Sequence, residues 1–136
     1  MKFITKNYRI RFRRVYIFPT LVVYVPNELL KHYTGYCLGP IVVLRESASD
    51  IDGWEVHELT HVAQFWRTLG LHALFYYINS KYRINCEKEA YYNQLHHSTN
   101  PGLTPHTASF TIAMKYGWNF TFEERLELER FLISGE

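Results

Sequence analysis

The hydrophobic pattern changes period about a third of the way along the chain. Arg9-Ile10-Arg11-Phe12-Arg13 alternates charged and apolar residues, the period of a half-buried strand. Val15 to Val25 is rich in β-branched and aromatic residues, and Pro19 and Pro26 punctuate it. Gly39-Pro40 then introduces the short apolar strand Ile41-Val42-Val43-Leu44, and polar residues 45–50 follow as a loop. From there the rhythm is helical. Asp52 is placed as an N-cap with Glu55 completing a capping box, and Ile51 and Val56 are placed as a hydrophobic staple. The helix should run from about Gly53 to Leu69, with Gly70 as its C′ residue. Its apolar positions (Trp54, Leu59, Val62, Phe65, Trp66, Leu69) spread around the cylinder, as expected of a central, buried element.

Residues 71–78 are apolar and fit either a helix or a packed loop. A second clear helix is expected from near Asn85, through Glu87 and Glu89, to about His96. Asn100-Pro101-Gly102 breaks the chain. Thr104-Pro105 reads as N-cap and N1 of a third helix ending near Gly117. Thr121 and Glu124 read as the capping box of a last helix to about Ile133. Strands first and helices later make the class α+β, and 136 residues fit a single domain, 1–136.

Composition narrows the function classes. At 47% apolar, the chain can bury a core without disulfide staples, and disorder is excluded. No apolar run is long enough to span a bilayer. The N-terminal stretch lacks the apolar core of a signal peptide, so a cytoplasmic location is expected. Cys37 and Cys86 have no Cys-x-x-Cys spacing and read as two free thiols in a reducing compartment. A net charge of +2 does not call for a nucleic-acid partner. The basic cluster Lys2, Lys6, Arg9, Arg11, Arg13 and Arg14 reads as the solvated face of an edge strand, where charge blocks aggregation. The alternative use of that cluster is contact with nucleic acid or an acidic protein.

One motif carries chemistry. In His57-Glu58-Leu59-Thr60-His61, the histidines stand four apart on the expected helix, so both imidazoles share one face and can reach one zinc ion. Glu58, adjacent to the first, is placed to take a proton from a metal-bound water. A catalytic zinc needs a third protein ligand, and the second helix offers Glu87 and Glu89. Small Ala90, three residues after Glu87, permits close helix approach on that face and favours Glu87; Tyr92 stands at the equivalent place for Glu89, which stays open as the alternative. Oxyanion donors would come from Tyr82, Tyr91, Tyr92, His96, His97 or His106, none singled out by sequence. His96 and His97 point about 100° apart on a helix, so they are poor co-ligands and suit a helix C-terminus.

His57-Glu58-Leu59-Thr60-His61-Val62, followed by Glu87-Lys88-Glu89-Ala90, resembles the gluzincin metallopeptidases, which join a His-Glu-x-x-His helix to a downstream glutamate. Tyr91 follows Ala90 where some members carry an aspartate that supports a ligand histidine, which leaves that supporting role unassigned here. Alignment on Glu89-Ala90 instead resembles the thermolysin-like enzymes, with Asn93 at the place of their aspartate. The approach to the motif helix, with Gln64 inside it, is similar to compact zinc peptidases of bacteria and phages over roughly residues 33–95. The resemblance implies a small, mainly antiparallel N-terminal sheet packed on two active-site helices, with two further C-terminal helices. It implies zinc held by His57, His61 and Glu87, with Glu58 as general base acting on a peptide or protein substrate. It also implies that residues 41–44, the last strand before the motif helix, form a sheet edge that an extended peptide can join. The rival readings are a zinc-stabilised interaction module without turnover and a nucleic-acid-associated protein using the basic strand.

Overall fold

Strand β1 (Arg9–Val15) and strand β2 (Phe18–Val25) form an antiparallel hairpin that turns at Tyr16. The computed structural model describes residues 8–48, 52–116 and 120–136. Strand β3 (Gly35–Leu38) and strand β4 (Ile41–Arg45) form a second hairpin around Gly39. The sheet order is β1-β2-β4-β3, with β2 and β4 parallel and the other two pairs antiparallel. The parallel pair requires a crossover, supplied by residues 26–40 with their 3-10 turn at Asn27–Leu29. Strand β3 was not expected from sequence, because four residues that include Gly and Cys carry little strand signal. Gly35 is required there: a Cβ would stand 2.5 Å from Leu44 Cδ2. The architecture is α+β, a four-stranded mixed sheet with five helices.

Two features of the sheet correct the expectations. Strand β4 is interior, hydrogen-bonded to β2 and β3, so residues 41–44 are not an edge; the edges are β3 and β1. The faces of β1 are also reversed. Arg9, Arg11 and Arg13 lie opposite Tyr24, Val22 and Thr20, residues of the side that carries the core. The Arg9 guanidinium lies 4.1 Å from the Tyr24 ring centroid, and Arg11 and Arg13 pair with Glu55 of the first helix. The apolar residues Ile10 and Phe12 face solvent instead. The basic side of β1 is therefore the side that faces the helices, with Arg11 half-buried and Arg9 and Arg13 still exposed to solvent.

Helix α1 (Trp54–Arg67) lies on the sheet and packs on α3 (Ser80–His97). Its start differs from the expected capping box. Gly53, with φ +72°, is the N-cap, and no side chain caps the helix. Glu55 accepts hydrogen bonds from Arg11, Arg13 and Tyr24, and Asp52 accepts one from Asn100. Two guanidiniums and a phenol outcompete a single backbone N–H for the glutamate. Gly53 cannot be replaced readily, since a Cβ would meet the Gln94 carbonyl oxygen at 2.9 Å. Ile51, the expected staple residue, lies outside the described residues. The buried side chains of α1 are His57, Glu58, Thr60, His61, Val62 and Gln64, of which only Val62 is apolar.

The end of α1 is displaced by one residue from expectation. Leu69 N–H donates to Trp66 and Gly70 N–H to Phe65, the paired bonds of a Schellman motif with Leu69 at C′ and Gly70 after it. Leu69 has φ +52° and is 89% exposed, so it holds a left-handed conformation without burying its side chain. Leu69→Gly is expected to stabilise the protein by about 0.5–1 kcal/mol. That corresponds to a rise of roughly 2–3 °C in the thermal midpoint for a chain of this size, which calorimetry can read.

Residues 71–78 resolve as helix α2 (His72–Ile78), with Asn79 ending it and capping α3 through a bond from Tyr82 N–H. Helix α3 thus starts five residues before the expected Asn85. Helix α4 (Pro105–Tyr116) has Thr104 accepting from Thr107 N–H, as its sequence indicates. Helix α5 (Phe122–Ser134) shows the Thr121–Glu124 capping box. One core cluster joins the sheet to α1 around Val22, Val42, Leu44 and Val62; another joins α3, α4 and α5 around Tyr91, Ile112 and Leu132. Trp54 packs against both, so the α1–α3 seam lies between them. Cys37 and Cys86 are free, and no helix among the described residues is long and apolar enough to cross a membrane.

Candidate metal centre

His57 and His61 lie one helical turn apart on the buried side of α1, facing α3. Glu87 comes up from α3 to meet them, with Ala90, completely buried, three residues on. His57 Nε2 lies 3.4 Å from Glu87 Oε2, and His61 Nε2 lies 3.3 Å from Glu87 Oε1. One ligand atom from each of the three residues falls within 4.8 Å of the others, and all three residues are buried. Tetrahedral bonds of 2.0–2.2 Å place neighbouring ligand atoms about 3.3–3.6 Å apart. Each histidine stands at about that distance from a different Glu87 oxygen, and two imidazoles with a carboxylate are a donor set that suits a divalent metal ion. The residues present therefore fit a metal.

Both imidazoles are oriented by glutamines. Gln94 Nε2 donates to the Asp52 carbonyl, which turns its amide oxygen toward His57 Nδ1 at 2.9 Å. Gln64 Nε2 donates to the Cys86 carbonyl and to Glu89, which turns its amide oxygen toward His61 Nδ1 at 2.8 Å. In each case the Nδ1–H must be the donor, so Nε2 is the atom presented to Glu87 and available to a metal. These glutamines fill the supporting role left unassigned by sequence. The legible signal for Gln94 was its spacing, seven residues beyond Glu87 and so on the same face of α3. Glu89 is placed elsewhere: it binds Arg67 with both oxygens and buttresses Gln64. Asn93 donates to Thr60 and touches neither histidine.

Gln94→Ala and Gln64→Ala are each expected to weaken the affinity for a divalent metal ion by about 10–100-fold while the fold is retained. Competition titration against a chromophoric chelator reads the loss; unchanged affinity in both variants would show that the amides do not orient the ligands.

The electrostatics are those of a site built around charge in a dry place. Burial alone would lower the His61 imidazole, but its bond to Glu87 and the Glu87 and Glu58 charges outweigh this and raise it to about 9. Burial opposes ionisation of Glu87 too, yet bonds from His57 and His61 hold its carboxyl well below the usual range. Glu58, one residue from His57, lies in the same cavity. Burial raises its pKa, the two histidines lower it and Glu87 raises it, with a net upward shift. Its charge is also felt by Cys37 on β3, whose thiol is pushed up to about 12, mainly by burial.

The cavity over the triad measures about 410 Å³. Its walls come from residues 32–37, α2, α3 and the C-terminal end of α4. Tyr76 of α2 donates to Glu87 Oε1, and burial followed by the Glu87 charge raises its pKa, so it keeps its proton. His72 shares a 2.9 Å hydrogen bond with Tyr82, and burial, then the nearby His61, lowers it to about 4. Of the donor candidates from sequence, Tyr91 lines the cavity and Tyr82 supports His72. Tyr92 packs on His96 and Phe131, and His106 faces Glu129. His96 and His97 each donate Nδ1–H to a carbonyl in the last turns of α3. The cavity-lining His72 and Tyr76 were missed, because residues 71–78 carried no decisive period and gave no face to assign; Tyr116, at the end of α4, reaches the cavity only through tertiary packing. No family model matches the chain, and neither a curated protein nor a solved structure matches it.

Proposed function

We propose that the chain is a zinc-dependent peptidase of the gluzincin type, cleaving a peptide bond in the cavity between β3, α2 and the α1–α3 seam. The observation that carries this reading is the buried His57–His61–Glu87 triad, one ligand atom of each within 4.8 Å of the others, with Glu58 beside it in an open cavity. His57, His61 and Glu87 would hold the ion. Bound there, zinc would supply Lewis acidity and an acidified water.

The chain's own residues do the rest. Glu58, its basicity raised by burial, takes the proton of the attacking water and returns it to the leaving amine. His72, kept neutral, lines the same cavity with a ring proton with which to meet a developing oxyanion, while Tyr76 donates its hydroxyl proton to Glu87 and steadies that carboxylate. The free edge belongs to β3, whose Gly35, Tyr36 and Cys37 line the cavity, so an extended peptide adds there and not to β4. The cavity volume lies within the range of small-ligand sites, which favours turnover over a closed, purely structural zinc site. The nucleic-acid reading is weakened, because Arg11 and Arg13 are engaged by Glu55.

Elemental analysis after zinc loading, followed by digestion of a mixed peptide library, tests the proposal. The expected result is one zinc per chain and cleavage that ceases with chelator. Protein that takes up no metal, or zinc-loaded protein that leaves every peptide intact, would overturn it.

A further inference from the structure

We infer that the outer face of the sheet is the contact surface between two copies of this chain. The strand registers define two rows of side chains on that face. One runs Phe12, Leu21, Ile41, Leu38 across all four strands. The other begins at Ile10 on β1 and ends at Tyr36 on β3. Neither row contains a charged residue. The opposite face packs on α1 through Val22, Val42 and Leu44, and α1 makes the principal helix contacts to the sheet. Among the described residues the two rows stay open: Phe12 is 75% exposed, Ile10 and Leu38 are each 58% exposed.

A two-layer protein with one solvated sheet face should alternate apolar inward and polar outward. Here β1 does the reverse, spending its arginines on Glu55 and Tyr24 and leaving Ile10 and Phe12 outside. Such a face needs a cover. The rows, with neighbouring Tyr8 and Ile17, offer on the order of 600–800 Å² per copy, close to the ~800 Å² per partner of a stable interface. Arg14 at the end of β1 and Arg45 at the end of β4 border this face, and between them it is apolar, so two copies can stack it at about 10 Å to form an apolar core. Edge-to-edge association through β1 is opposed by the repulsion of its own arginines across a twofold axis. The His57–His61–Glu87 cluster lies on the other side of the sheet, between α1 and α3; the proposed contact adjoins its cavity only at Tyr36, and the inference does not rest on the peptidase reading.

Sedimentation equilibrium of the full chain over a range of concentrations, with Phe12→Glu and Leu38→Glu beside the wild type, tests the assignment. The wild type should dimerise. Each glutamate enters the interface twice and should weaken dimerisation by about 100-fold or more. Far-UV circular dichroism and zinc uptake should stay unchanged, and Phe12→Leu should retain the dimer. A wild type that is monomeric throughout overturns the inference, as do two glutamate variants that dimerise like the wild type. Flotation of a monomer with phosphatidylserine vesicles would overturn it in favour of a membrane surface. A monomer that dimerises only after residues 1–7 are removed would overturn it in favour of the chain's own N-terminal segment.

Discussion

Glu58→Gln is expected to bind zinc as tightly as the wild type and to lose peptide cleavage by about 10³-fold or more, which is ~4 kcal/mol of transition-state stabilisation. Glutamine keeps the size and the neutral polarity of a protonated glutamate, so the packing around the buried side chain is preserved. What disappears is the proton acceptor. Burial has raised the basicity of Glu58, which makes it a better base than a solvated carboxylate and enlarges the loss when it is removed. Removing a buried ionisable group also leaves the variant at least as stable as the wild type in thermal melts. The pairing of retained zinc, retained stability and lost turnover separates a catalytic base from a ligand. Equal cleavage rates for the two proteins would remove Glu58 from the mechanism.

The second large effect concerns stability. Zinc held by the folded triad, as proposed, and not by the dispersed side chains of the unfolded chain would add roughly 4 kcal/mol at a thousandfold excess over the dissociation constant. For a chain of this length that raises the thermal midpoint by about 12 °C, and chelator should reverse it. Glu87→Ala is expected to abolish the zinc-dependent shift. Glu89→Ala should keep most of it, because Glu89 holds Arg67 and Gln64 and touches neither histidine. In the metal-free protein, Glu87→Ala also strips the two buried histidines of their carboxylate partner, so its melt should start lower than that of the wild type. Differential scanning calorimetry of the three proteins with and without zinc decides the matter. A shift that survives in Glu87→Ala and vanishes in Glu89→Ala would reverse the assignment of the third ligand.

Local order was legible wherever one residue type dictates one backbone state. Thr121 with Glu124, and Thr104 before Pro105, cap their helices as read, because a hydroxyl three residues from an unpaired N–H has no better local option. The same reasoning failed at Asp52 and Glu55. There the glutamate had two arginines and a tyrosine from another element within reach, which no local pattern discloses. Strand β3 escaped for a related reason: its pairing with β4 and not its composition makes it a strand.

The His57-Glu58-x-x-His61 pattern by itself determined that two imidazoles share one helix face with a carboxylate between them, since the α-helical period leaves no other arrangement. Sequence favoured Glu87 over Glu89 through the small Ala90 but left Glu89 open, because the facing of α3 toward α1 is not set by local pattern. The packing of α3 against α1 turns Glu87 toward the two histidines and leaves Glu89 to a solvent-side arginine. Tertiary structure alone also supplied Gln64 and Gln94 as supports for the histidines, and made β3 rather than β4 the edge beside the cavity. It decided as well which side of β1 meets solvent. An alternating strand specifies two faces, but only the partners waiting on each side, here Glu55 and Tyr24 for the arginines, determine which one turns inward.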